Sequence, residues 1–408
     1  MSIPLAMLGL PAFIYLSPFY AETVGLSLST LGLILLLSRL WDMINDPLIG
    51  FLSDKSGQRL PWILWGTPLL LLGTWCVFTA PFGASPGWLL FWLFVFYLGW
   101  TCVSVPYAAM VADTIPDTNE RTRLITWRES FGVVGLVAAL VVPNVLPRAD
   151  GVSAPEHALG ILSVLLLILT PPLVLFFWRV WRKVVTPKKS AATDLLKAWR
   201  AILKDVTFRR LLGAYTVNAL ANALPGLLFF FFAGDRLGLS DDTANIFLLL
   251  YFVAAAMGMP IWLRLSKRYP KQTVWRWAML LTCAIFVAAV LLPYGAATGF
   301  MLVCIGTGLC LGADVVLPAS LQTDLIQKAA AEQNGVSAAG AYVGLWGIAT
   351  KLAIAGGSII YPVLELAGYD PKAAEHSADA LLALGISYAV VPIVLKLIAI
   401  YWMSRIKL

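Results

Sequence analysis

The stretch from Ser38 to Asp54 reads SRLWDMINDPLIGFLSD. It follows LGLILLL at residues 31–37, an apolar run suited to a helix against lipid. Arg39, Asp42 and Asp46 then enter the same helical pattern. At these spacings the three ionisable groups share one helix face, and Asn45 is one step round. An uncompensated charge at a bilayer centre costs about 2.5–3.5 kcal/mol on insertion scales. Such a face must therefore turn toward protein interior or a water-filled cavity. Two close carboxylates also repel each other unless a cation stands between them. With an amide oxygen beside them, Asp42 and Asp46 make a hard-oxygen site suited to Na⁺ or to a proton. The plainer reading is an Arg39–Asp42–Asp46 packing network that holds no ion.

The rest of the chain supports a membrane setting. Of 408 residues, 60% are hydrophobic and 12% charged, and the mean hydropathy is +0.83. A soluble globular chain is about 45–50% apolar and about 25% charged. Apolar stretches of about 20 residues, enough to cross a bilayer, recur throughout. The fold class is an all-α membrane protein. Hydropathy and helix breakers predict twelve spans, at roughly 3–21, 28–52, 61–80, 87–112, 126–147, 157–180, 208–232, 243–264, 273–293, 298–325, 337–362 and 378–403. The longest polar stretch divides the chain into a six-helix half at 1–180, a cytoplasmic linker at 181–207, and a second six-helix half at 208–408.

Charge placement gives the orientation. With both termini in the cytoplasm, the outer loops hold Arg148, Arg236 and Lys372. Arg39, Lys351 and Lys396 fall inside spans, and the remainder of the 29 Lys and Arg lie on the inner side. An inner excess of Lys and Arg is the usual topology signal. The net charge of +7 therefore points to anionic inner-leaflet lipid, not to nucleic acid. The linker, with Lys188, Lys189 and the amphipathic WRAILKD at 199–205, is expected on that surface. The N-terminus lacks a basic region and a cleavage site, so it reads as a first span, not a removed signal. Five cysteines sit in apolar spans and form no disulfide or metal spacing. His157 and His376 fall in polar loops, which excludes a histidine-based catalytic cluster.

Weak internal symmetry joins the halves. Span four closes with Pro106-Tyr-Ala-Ala-Met-Val-Ala-Asp113, and span ten with Pro318-Ala-Ser-Leu-Gln-Thr-Asp324. The loop after span two carries Gly50-x-x-x-Asp54-x-x-Gly57-x-Arg59. That pattern resembles the loop 2–3 motif of the major facilitator superfamily. Trp41 to Gly50, followed by Pro61-Trp62-Ile63-Leu64, resembles the glycoside–pentoside–hexuronide:cation symporters of the melibiose-permease type. Glu120-Arg121-Thr122 with Arg128, the Pro318–Asp324 segment and Lys351 resemble the same family in chain order. The likeness extends over roughly residues 22–360.

The resemblance implies the major facilitator fold, with twelve transmembrane helices in two six-helix halves and a site near midplane. It implies that Asp42, Asn45, Asp46 and Thr101 bind the coupling cation, with Asp42 and Asp46 as Na⁺ ligands if sodium is used. Arg128 matches an arginine that faces the sugar in the family, and a gate role is equally open. Lys351 either balances the carboxylates or snorkels to an interface. Asp314 reads either as a substrate or proton group or as a structural partner. Asn218 and Asn222 read as ligand donors or as interhelical glue. Lys396 reads as peripheral or packing. Asp54, Arg59, Asp113, Glu120, Arg121 and Asp324 lie at cytoplasmic helix ends and form an expected inner gate. Gly308-x-x-x-Gly312 predicts close helix approach in span ten.

Two departures concern the substrate. The family carries an aspartate in span one and a second acid in span four; Ala6 and Ser104 stand there in this chain. With Arg39, Arg128 and Lys351 kept, a uronide or other organic anion becomes a candidate beside sugars. The expected activity is cation-coupled symport of a small polar solute by alternating access in a bacterial inner membrane. The chain is expected to act as a monomer, with no cofactor beyond Na⁺ or H⁺, a small-molecule substrate and lipids as partners. The alternative is a proton-driven exporter or flippase of amphipathic molecules or lipids. No nucleophile motif or metal spacing supports an enzyme.

Overall fold

The computed structural model describes residues 1–56, 58–114, 118–182, 195–332, 339–373 and 375–405. Every regular element among them is helical. The chain folds into two compact units, Met1–Ala192 and Thr193–Leu408.

The first unit begins with α1 (Ser2–Leu8) and α2 (Leu10–Pro18), which runs into a one-turn π segment at Phe19–Val24. The expected first span is thus interrupted at Gly9, whose backbone (φ −68°, ψ −97°) is not helical. Next come α3 (Leu28–Ser56), α4 (Leu60–Phe78), α5 (Pro86–Thr114), α6 (Thr118–Val145) and α7 (Ala154–Trp181). The start of α7 shows the local chemistry. Ser153 accepts from the Glu156 backbone N–H at 3.3 Å, satisfying one orphan donor, while Pro155 sits where no N–H is needed.

The second unit contains α8 (Leu195–Ile202), α9 (Val206–Phe231), α10 (Asp241–Leu265), α11 (Lys271–Val290), α12 (Ala297–Glu332), α13 (Ala339–Gly357), α14 (Ile360–Leu366), α15 (Ala378–Gly385) and α16 (Val391–Ser404). Single π turns follow α9 and α15. The helix α8 falls within the expected linker, and the described apolar residues at its end pack on protein. Ile202 is buried among Phe208, Leu211, Trp275 and Tyr342, and Trp199 packs against the same cluster. A strongly two-faced short helix buries its apolar side where a partner exists.

Among the described residues, ten helical stretches are long and apolar enough to cross a membrane. Of the twelve expected spans, the first is broken at Gly9. The fifth is α6, which carries Glu120, Arg121, Arg123, Arg128 and Glu129 in its first half and, among the described residues, a shorter apolar stretch at Val134–Val145.

Close helix contact occurs where Gly308-x-x-x-Gly312 predicts it. A Cβ added at Gly312 would lie 2.6 Å from the Met259 backbone nitrogen, so α10 and α12 touch backbone to backbone. Trp262 Nε1 donates to the Leu309 carbonyl at 2.8 Å across the same seam.

Candidate functional site

The helix α3 has two distinct long faces. Leu33, Leu37, Ile44 and Leu48 are exposed. Ser38, Asp42, Asn45 and Ile49, at helical spacing on another face, are buried. The charges follow the second face, as the cost of placing them against lipid requires. Asn45, one step round by simple spacing, is among the most buried of them, at 1% exposure.

The helix α5 supplies the other wall and runs parallel to α3, from Trp41 beside Phe94 to Asp46 beside Thr101. Trp41 Nε1 donates to the Phe94 carbonyl at 3.2 Å, and the two rings stack at 5.1 Å. The Arg39 guanidinium lies over the Tyr97 ring, 4.9 Å from its centroid. Further along, Thr101 Oγ1 donates to Asp46 Oδ1 at 3.0 Å and lies 3.4 Å from Asp42 Oδ1. Phe94, Tyr97 and Thr101 are spaced three and four apart, so one face of α5 reads the whole α3 stretch.

A hydroxyl has one proton to give, so Thr101 sits between two acceptors that compete for it. Arg39 Nη1 reaches Asp42 Oδ2 at 3.9 Å, a long contact for an ion pair. Asn45 Nδ2 is buried and has no hydrogen-bond partner. An orphaned buried amide end is costly, and the two ends of an amide are exchanged by a half-turn. Turned so, Asn45 offers a carbonyl oxygen. Two carboxylates and a hydroxyl, with Asn45 on the same buried face of α3, are the hard-oxygen donor types that Na⁺ takes. Among the described residues no group of three or more His, Cys, Asp or Glu gathers as a metal site, so the candidate rests on this mixed oxygen set.

A second polar cluster lies in the other unit, where α9, α11, α12 and α16 meet. Asp314 Oδ1 accepts from Asn218 Nδ2 at 3.0 Å and from Trp275 Nε1 at 2.6 Å. Its Oδ2 accepts from Asn222 Nδ2 at 2.9 Å and from Lys396 Nζ at 3.1 Å. Lys396 also donates to Asn218 Oδ1 at 2.8 Å. The lysine is 1% exposed, so it is neither peripheral nor simple packing. Sequence reading missed this pair and missed Trp275. The signal to be read was charge balance: Asp314 and Lys396 are each a lone ion in an apolar span, and buried ions pair.

Arg128 is half-buried in α6 and Lys351 half-buried in α13. Next to Lys351, Thr350 hydrogen-bonds Tyr215 at 2.8 Å. Of the expected gate, Asp324 pairs with Lys271 at 2.6 Å, and Arg59 Nη1 donates to Ser53 Oγ at 3.3 Å. The side chains of Asp54, Asp113, Glu120 and Arg121, and Gly57 of the loop motif, lie outside the described residues.

Comparison with known proteins fits this geometry. The putative glycoside/cation symporter YagG of Escherichia coli K12 is 26% identical, over 93% of this chain and 84% of its own length. The human sodium-dependent lysophosphatidylcholine symporter 1 is 24% identical, over 72% of this chain and 60% of its own. A crystal structure of a point mutant of the nucleoside transporter NupG shares the fold, with a TM-score of 0.68 at 15% identity, over 98% of this chain and 97% of that one. The sequence pattern described as MFS/sugar transport protein matches residues 1–408. This chain, an integral membrane protein of the major facilitator fold, therefore belongs to the MFS/sugar transport family, a family of transporters and not of enzymes.

Proposed function

We propose that this protein is a symporter that couples uptake of a small solute to Na⁺ or H⁺, with Asp42, Asp46, Thr101 and Asn45 as the ion site. The observation that supports this most is the Thr101 hydroxyl lying between both carboxylates, beside a buried amide end with no partner. Relatives named as a glycoside/cation symporter and a sodium-dependent symporter support ion coupling. Coupling requires that the ion and the solute each bind one conformation better than the other. An ion that offsets carboxylate repulsion meets that condition when one conformation holds Asp42 and Asp46 closer together than the other does. In this reading the protein is a monomer of a bacterial inner membrane with both termini inside. Asp324 with Lys271, and Arg59 with the other cytoplasmic charges, form gate contacts that break and re-form.

Solute choice has two readings. Arg39, Arg128 and Lys351, with Ala6 and Ser104 replacing the family's acids, favour an anionic sugar or organic acid over a neutral galactoside. The lysophosphatidylcholine symporter among the relatives supports a second reading, an amphipathic lipid-like solute. Uptake into proteoliposomes tests both, with a panel of neutral sugars, uronides and lysophospholipids under Na⁺ or pH gradients. Accumulation that needs Na⁺ and is lost in Asp46→Asn establishes a sodium site. Accumulation that follows pH alone makes the same carboxylates a proton site. Unchanged coupling in Asp46→Asn overturns the assignment.

A further inference from the structure

One end of the second unit holds a pocket lined by three arginines and two aromatic residues, apart from the polar clusters described above. Arg209 and Arg210 lie near the start of α9, and Tyr401 and Trp402 near the end of α16, with Arg405 just beyond it. The two helix ends are joined by Arg210 Nη1 donating to the Arg405 carbonyl at 2.9 Å. The Trp402 ring lies against α9 at Gly213, where a Cβ would come within 2.6 Å of it. Between them is a cavity of about 390 Å³ lined by Arg209, Arg210, Tyr401, Trp402 and Arg405. That volume falls within the range of small-ligand sites.

The pocket is strongly unbalanced in charge. Three arginines line one cavity, and among the described residues none of them forms an ion pair with a carboxylate. Each is anchored by one neutral contact. Arg209 donates to the Leu203 carbonyl at 3.3 Å, Arg210 to the Arg405 carbonyl, and Arg405 to Tyr401 Oη at 2.9 Å. The nearest carboxylate in sequence, Asp205, caps α9 by accepting from Thr207 N at 2.8 Å. A guanidinium has five N–H donors in a planar fork matched to phosphate, so most of the donors here remain for a ligand. Three gathered cations repel one another unless an anion joins them.

The surroundings identify the anion's source. Tyr401 and Trp402 are exposed at the end of a membrane span, the headgroup level where such rings collect. From Tyr401 the exposed residues Ile398, Leu397 and Val394 continue up α16 into the apolar layer. Three- and four-residue spacing makes them one lane on the helix. A soluble phosphate would use the pocket alone; a phospholipid would use the pocket and the lane. We infer that the Arg209–Arg210–Arg405 pocket binds the phosphate of an anionic phospholipid, its acyl chain lying along Val394, Leu397 and Ile398. By the orientation read from Lys and Arg, this lipid belongs to the inner leaflet.

The test uses the full-length, delipidated protein in detergent and native mass spectrometry, following the tightest lipid adduct. Phosphatidylglycerol is expected to bind roughly tenfold or more tightly than phosphatidylcholine, and added salt should weaken it. In R209Q/R405Q the affinity for phosphatidylglycerol should fall roughly thirtyfold, about fivefold for each arginine removed, and the preference should vanish. K267Q/R268Q, which removes two inner-side charges elsewhere, should keep it. Should the double variant aggregate, Arg405→Gln alone, at an exposed helix end, reads the same loss at about fivefold. Three results would overturn the inference: no lipid preference in the wild type, a preference retained in R209Q/R405Q, or an equal loss in K267Q/R268Q. Displacement of the lipid by glycerol phosphate at equal concentration would assign the pocket to a soluble anion and overturn the lipid reading too.

Discussion

The two intramembrane acid clusters use similar residue types to opposite ends. In the first unit, α3 brings two carboxylates and one guanidinium together, with a single hydroxyl between the acids and a buried amide end that bonds to nothing. In the second, one carboxylate receives four donors and holds its own counter-ion. A carboxylate has about four lone-pair sites, so Asp314 is filled and has no room for a ligand without losing a partner. The first cluster gathers two carboxylates around one shared hydroxyl; the second surrounds one carboxylate with donors and a counter-ion. Burial of an acid in a membrane therefore does not identify a transport site. What distinguishes the first is a pair of carboxylates sharing a single hydroxyl donor.

The largest effect should come from emptying the filled cluster. Asp314→Ala strands a buried lysine and should destabilise the protein by about 3–5 kcal/mol, seen as a lower unfolding midpoint of the purified protein. Replacing both ions, as D314L/K396M, should recover most of that loss, since a buried pair is often no better than an apolar one. If the double variant is as unstable as the single, the amide and indole donors matter more than charge balance. The same experiment on the open cluster should read differently. Asp46→Asn should leave the unfolding midpoint nearly unchanged while ion-stimulated uptake falls roughly ten- to hundredfold, the scale of one charged ligand. A large drop in its midpoint would make the two clusters alike and erase the contrast.

Smaller changes sharpen the comparison. Thr101→Val keeps the volume near Asp42 and Asp46 but removes the shared hydroxyl. The ion concentration for half-maximal stimulation should rise about fivefold, matching roughly 1 kcal/mol for one hydrogen bond. Trp41→Phe removes the indole bond to the Phe94 carbonyl and keeps the ring stack. It should cost below about 1 kcal/mol of stability and shift ion affinity little, unless the α3–α5 seam sets the distance between Thr101 and Asp46.

The sequence made the first cluster readable because its residues are near neighbours. Asp42, Asn45 and Asp46 fall within one helical turn, and the cost of charge in lipid forces a buried face. Thr101 was legible only through family resemblance, since nothing in its own surroundings marks it. The second cluster is assembled across long separations. Asp314 and Lys396 are 82 residues apart, and Asn218 and Lys396 are 178 apart. Trp275 is one of 16 tryptophans, most of them easily taken for interfacial rings. Helix existence followed from hydropathy, but the break at Gly9 did not, because it depends on one backbone conformation in an apolar run. The docking of α8 was missed for a related reason. An amphipathic helix seeks any apolar surface, and the sequence does not say whether lipid or protein is nearer.

The Trp275 indole illustrates what a filled cluster implies for motion. Its ring is fully buried, and its one N–H points at Asp314 from 2.6 Å. That proton can exchange with solvent deuterium only when α11 and α12 part far enough to admit water. Its exchange rate is thus a clock, timing how often the second unit breathes open. A transporter half that moves as a stiff lever should keep this clock slow through every turnover.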